Sequence, residues 1–145
     1  MISCEKDETK VFLLDNPVAP VLVTVPDLTF QKANENDTLS FRGTPAYLGF
    51  SASMRYVLEA CPKDNGFKTA KTVRIYIGDQ DSLITITEKA LNSKMLPKFP
   101  KGIVAAADFR IRAIIAVDAG TGALGSSTNP LEVKSELTTL DVLTY

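Results

Sequence analysis

Phe109-Arg110-Ile111-Arg112-Ala113-Ile114-Ile115-Ala116-Val117 is the stretch whose period decides the fold. Phe109, Ile111, Ala113, Ile115 and Val117 fall on one side of an extended chain, opposite Arg110, Arg112 and Ile114. Successive side chains of a strand point to opposite faces, so a period of two marks a strand with one buried face. The same period recurs upstream. Leu39 and Phe41 alternate with Ser40 and Arg42, and Met54, Tyr56, Leu58 and Ala60 with Arg55, Val57 and Glu59. Val73, Ile75 and Ile77 alternate with Arg74 and Tyr76.

The remaining punctuation fits short strands. Pro17, Pro20 and Pro26 bracket an apolar run from Val21 to Val25. Prolines this close suit an edge or first strand. Leu28-Thr29-Phe30 stays extended before a polar turn. Asp64-Asn65-Gly66 and Gly120-Thr121-Gly122 read as loops, since Asn and Gly tolerate positive φ. One segment departs from the pattern. From Thr87 to Leu96, Leu91, Met95 and Leu96 stand at helical spacing, with Thr87 as N-cap and Pro97 and Pro100 as stops. Six to eight short strands and one short helix predict an all-β, two-sheet antiparallel β-sandwich of immunoglobulin or fibronectin III type. A parallel sheet would need several crossover helices. Phe41, Leu58, Ile75, Phe109, Ile111 and Ile115 are the expected core.

At 145 residues the chain is expected to be one domain. Residues 1–17 read as a terminus and tether, 18–137 as the sandwich, and 138–145 as a tail or the start of a linker. The formal net charge is −1, with Lys and Arg scattered, so nothing would neutralise a run of phosphates and nucleic acid is not an expected partner. The apolar runs fall short of the roughly 20 residues a spanning helix needs. His and Trp are absent. That removes His-based nucleophile relays and zinc sites, along with the ring most used for stacking on sugar.

Cys4 stands among charges, between Met1-Ile2-Ser3 and Glu5-Lys6-Asp7-Glu8. Two readings fit these residues alone: a bacterial lipid-attachment cysteine preceded by a small residue, or an accidental thiol near a terminus. Cys61, at a strand end, reads as a small buried hydrophobe.

Leu39-Ser40-Phe41-Arg42-Gly43-Thr44-Pro45-Ala46-Tyr47-Leu48-Gly49-Phe50-Ser51-Ala52 resembles the L-x-F-x-W strand and T-x-A-D-F-G-Y-S-A loop of SusE-type outer-membrane proteins. Tyr56-Val57-Leu58-Glu59 is similar to the family's next strand. The step from Ile86 to Asn92, the strand from Phe109 to Ala113 and the segment from Ser127 to Val133 follow in the same order. The likeness spans roughly residues 18–136. It departs at Gly43, where the family carries Trp. Either Gly43 opens a bulge, or Phe41, Tyr47, Phe50 or Tyr56 repacks into the space.

The resemblance implies a lipoprotein anchored in the outer membrane through Cys4 and exposed at the cell surface. It implies an N-terminal, noncatalytic spacer or scaffold domain in a polysaccharide (starch-like) capture and uptake system. A TonB-dependent transporter and a SusD-like protein are the implied partners, and C-terminal domains of a full-length parent would hold the glycan. The alternative is a generic immunoglobulin-like adhesion or protein-interaction module.

The chemistry-bearing residues give no competing enzyme. Asp79 with Asp81, and Asp108 with Glu88, are the carboxylates that could pair. Acid–base work needs two in one cleft with separated pKa values. A calcium site would need six or more oxygens. No catalytic residue, metal ligand or cofactor is therefore expected. Candidate glycan or partner contacts are the aromatics off the core pattern: Tyr47, Phe50, Phe67 and Tyr76.

Overall fold

The computed structural model of the chain describes residues 17–49, 54–79, 83–115 and 131–145, with the backbone alone at 76–79 and 115. The described strands are β1 (Leu22–Thr24), β2 (Thr38–Gly43), β3 (Met54–Pro62), β4 (Val73–Asp79), β5 (Leu83–Thr87), β6 (Ala105–Ile115), β7 (Glu132–Lys134) and β8 (Thr138–Val142). The helix α1 (Glu88–Met95) joins β5 to β6. One sheet runs β1-β2-β5 and the other β4-β3-β6-β7, with β8 also on β6. Every pairing between these strands is antiparallel. This is the all-β sandwich that the alternation predicts.

The inward residues of the two sheets meet in one core. Phe41 of β2 stacks on Phe109 of β6 with ring centroids 6.1 Å apart, within the range favoured by aromatic pairs. Leu58, Ile75 and Ile111 are buried around them, as expected. The side chain of Ile115 lies outside the described set. Beside Gly43 the β1–β2 ladder shifts register between Leu22 and Thr24. Tyr56 is buried nearby, and its Oη accepts the Ala46 N–H at 3.0 Å. The strand thus accommodates Gly43 with an irregular partner and a phenol reaching into the following loop.

α1 carries the chain from one sheet to the other. Thr87 Oγ1 accepts the Ala90 N–H at 3.2 Å, satisfying one of the donors left open at a helix start. Leu91 and Met95 are fully buried, so the helix closes one end of the core.

Residues 138–145 correct the expectation of a tail. Thr138–Val142 form β8, paired with β6 from Ala105 to Phe109, and Val142 is buried. β7 covers the other half of β6, from Arg112 to Ile114. Ser135 makes the joint: its N–H donates to the Ile111 carbonyl, and its Oγ accepts the Ile111 N–H, both at 2.9 Å. Beyond β8, Leu143 exchanges backbone bonds with Leu28 and Phe30. Asn92 then grips the last residue, giving its Nδ2 to the Tyr145 carbonyl at 2.9 Å and taking the Tyr145 N–H at 3.0 Å. Leu140 and Val142 alternate with the exposed Thr139 and Asp141, so β8 follows the same period of two over a run too short to stand out in the sequence.

Removing residues 138–145 should abolish the cooperative thermal transition, since it bares one edge of half of β6. Asn92→Ala should cost about 1–3 kcal/mol by orphaning buried backbone groups. Circular-dichroism melts check both, and an unchanged melt of the truncated chain would restore the tail reading.

Candidate functional site

The outer face of the larger sheet departs most from the alternation. Val57 and Glu59 occupy the positions on β3 expected to face solvent, yet they are 1% and 0% exposed. Neighbouring strands explain this. Glu59 lies opposite Arg74 on β4 and Arg110 on β6, and Val57 opposite Arg112. Arg74 Nε donates to Glu59 Oε2 at 2.9 Å, Arg110 Nε to Oε1 at 2.8 Å, and Arg112 Nη1 to Oε2 at 3.2 Å. Arg112 also bonds Glu132 of β7, which Lys134 approaches at 3.5 Å. The long side chains form a roof over β3.

Burial pushes the Glu59 carboxyl upward, but the bond from Arg110 and the charges of Arg112 and Arg110 outweigh it, with help from Arg74. The net effect holds its pKa below the usual 4.5. A carboxylate held ionised by three guanidiniums is a poor proton donor and a poor base near neutrality. This cluster is therefore a structural clasp. The sequence carried a signal for it, in Arg74, Arg110 and Arg112 on outward positions, but only strand pairing sets all three on one carboxylate.

Of the other carboxylates considered for catalysis, Glu88 and Asp108 are also engaged. Glu88, at the first turn of α1, accepts the Gln31 N–H. Asp108 accepts the Asp64 N–H at 3.0 Å and the Thr139 hydroxyl at 2.8 Å, pinning the β3–β4 turn and β8. They belong to separate networks. Asp79 has its backbone in β4, opposite Arg55, and Asp81 lies outside the described residues. Among the described residues, no group of His, Cys, Asp and Glu is arranged to hold a metal ion.

The aromatic candidates separate. Phe67 is buried in the β3–β4 turn, at φ 55°, with the Arg110 guanidinium 3.9 Å from its ring centroid. That cation–π contact covers one face of the ring and packs Phe67 into the turn. Tyr47 remains 47% exposed and pairs with Val18 through two backbone bonds of 2.8 and 2.9 Å. Tyr76 has its backbone in β4 opposite Val57, and its side chain lies outside the described set. Phe50 and Cys4 also lie outside it. Cys61 is a free, fully buried thiol, and burial pushes its pKa up.

The clasp makes stability depend on pH. Because the folded pKa of Glu59 is depressed, its contribution is full above about 4.5 and is lost as pH falls through the lower folded value. Glu59→Gln should cost about 3–5 kcal/mol at pH 7, by leaving Arg74 and Arg110 without their anion and Arg112 with Glu132 alone. It should also flatten the acid limb of the stability curve. Urea unfolding from pH 7 to pH 3 checks this, and equal acid slopes in both proteins would contradict it.

Comparison with known proteins fits this architecture. No curated protein matches the sequence. The family model described as SusE outer membrane protein matches residues 6–112, from before the described sandwich into β6. The match begins upstream of the resemblance drawn from the motifs and includes the clasp residues Glu59, Arg74, Arg110 and Arg112. With well over half its length matched, the chain belongs to the SusE outer membrane protein family, of starch-utilisation type.

Proposed function

We propose that this sandwich is a noncatalytic spacer domain of a SusE-like, surface-exposed glycan-binding lipoprotein, anchored through Cys4. The observation that carries the reading is the placement of the two ends. The chain enters beside Tyr47, where β2 ends, and Tyr145 lies on α1, at the end where β6 begins. Ala46 is bonded to Tyr56, opposite Ala113 near the far end of β6, whereas Thr144 pairs with Lys101 just before β6 begins, so entry and exit lie toward opposite ends of that strand. A rigid element with its ends at opposite poles sets a distance between an anchor and whatever follows it.

The side chains support the same reading. Glu59, Glu88 and Asp108 hold the fold together, and Phe67 lies under Arg110. Tyr47 offers one open ring, with Phe50 and Tyr76 as further candidate contacts. A single aromatic face gives little affinity for sugar, because binding needs several convergent groups in a preformed cleft. On this reading, polysaccharide is held by other domains of a full-length parent, and the TonB-dependent transporter and SusD-like protein of the same system are its partners. Pro20 and Pro26 around the three-residue β1 argue against the adhesion alternative at that sheet edge, since proline blunts strand addition.

Two outcomes follow. Calorimetric titration with starch-derived oligosaccharides should give a dissociation constant no tighter than roughly millimolar, about −4 kcal/mol. A micromolar constant abolished by Tyr47→Ala would make the domain itself a glycan receptor. In cells, Cys4→Ala should move the protein out of the outer-membrane fraction, whereas retention there would remove the anchor from the reading.

A further inference from the structure

Four large apolar side chains stand open where the chain enters the sandwich. Val18 is 53% exposed, Val21 55%, Val23 62% and Tyr47 47%. They share one neighbourhood. Val18 and Tyr47 are a directly bonded pair, and Val21 accepts the Thr44 N–H at 2.8 Å, three residues before Tyr47. Val23 is two positions along the same chain, on the side opposite the core-packed Leu22. Ile103 and Val104 are equally open, at 60% each, but they lie at the far pole beside Thr144.

We propose that the Val18–Val21–Val23–Tyr47 patch is a membrane-contact surface that seats this end of the sandwich on lipid. Its chemistry suits a bilayer interface, with aliphatic side chains beside a tyrosine that has an apolar ring and a polar tip. Arg42, exposed on β2 and paired with Thr24, adds a cation for anionic headgroups. Pro20 and Pro26 disfavour an added strand, so a partner here would be met by side chains rather than by a ladder. Location carries the rest, since the family is an outer-membrane one. Fourteen positions separate Cys4 from Val18 (18 − 4), a reach of at most about 50 Å at full extension. A patch tethered so close needs little intrinsic affinity to stay on the surface.

The inference rests on the anchored reading for its orientation, and the test supplies the anchor chemically. The chain has no tryptophan, so Tyr47→Trp introduces a single reporter. Cys61 is buried with a raised pKa, so a maleimide-headgroup lipid selects Cys4. The full chain, coupled to phosphatidylethanolamine–phosphatidylglycerol vesicles, should show a blue-shifted emission that is quenched by brominated lipid. Val21→Asp with Val23→Asp should abolish shift and quenching without altering the thermal melt, and Ile103→Asp should leave both in place. Unshifted, unquenched emission from tethered protein overturns the proposal, as does equal loss in Ile103→Asp. A shift that grows with protein concentration in the absence of vesicles also overturns it, by assigning the patch to a second copy. Failure of Cys4→Ala to release the protein in cells would count against the native anchor alone, because the vesicle result does not depend on it.

Discussion

Nine consecutive residue pairs join β3 to β6, from Met54 with Ile115 to Pro62 with Ala107, and everything else in the sandwich is placed by that ladder. It fixes which side chains of the two longest strands face inward. It sets Phe109 and Ile111 toward Phe41 of the opposite sheet, and it sets Glu59 beside Arg110 on the outside. A slip of one residue would exchange these faces, bringing arginines into the core. The Glu59 clasp opposes such a slip, because only this register gives a buried carboxylate three guanidinium partners. Buried ion pairs are often neutral for stability against apolar replacements. Here the pair specifies an alignment.

The same ladder explains the two poles. β6 receives β8 on its first half and β7 on its second, with the Ser135 hydroxyl bridging the break. One pole is closed by α1, the β3–β4 turn and the chain end, and they are tied together by Asn92, Asp108 and Thr144. The other pole receives the entering chain and carries the open apolar patch.

The family assignment and the physical reading meet at the same residues without saying the same thing. Membership in the SusE family concerns the outer membrane and starch-utilisation type. The side chains account for something narrower, namely which partners Glu59, Glu88, Asp108 and Phe67 hold within the fold. Fold alone would not distinguish a receptor from a scaffold, since sandwiches host both.

Much of this protein was determined by its sequence. The period of two around Phe41, Leu58, Ile75, Phe109 and Ile111 depends only on the local geometry of extended chain, and Thr87 with Leu91 and Met95 only on that of a helix. Those patterns identify the sandwich and the helix α1 before any contact is known. What only the tertiary structure decided are partnerships between residues distant in the chain. Glu59 looked like a solvent-facing strand residue until Arg74, Arg110 and Arg112 were brought over it. Phe67 gains Arg110 over its ring only through the same strand pairing. Residues 138–145 looked like a tail because only Leu140 and Val142 carry the alternation there, and their place depends on backbone pairing with β6 and on the Asn92 grip on Tyr145. Backbone hydrogen bonds are available to every residue type, so no composition announces them, and the partner exists only once the chain has folded.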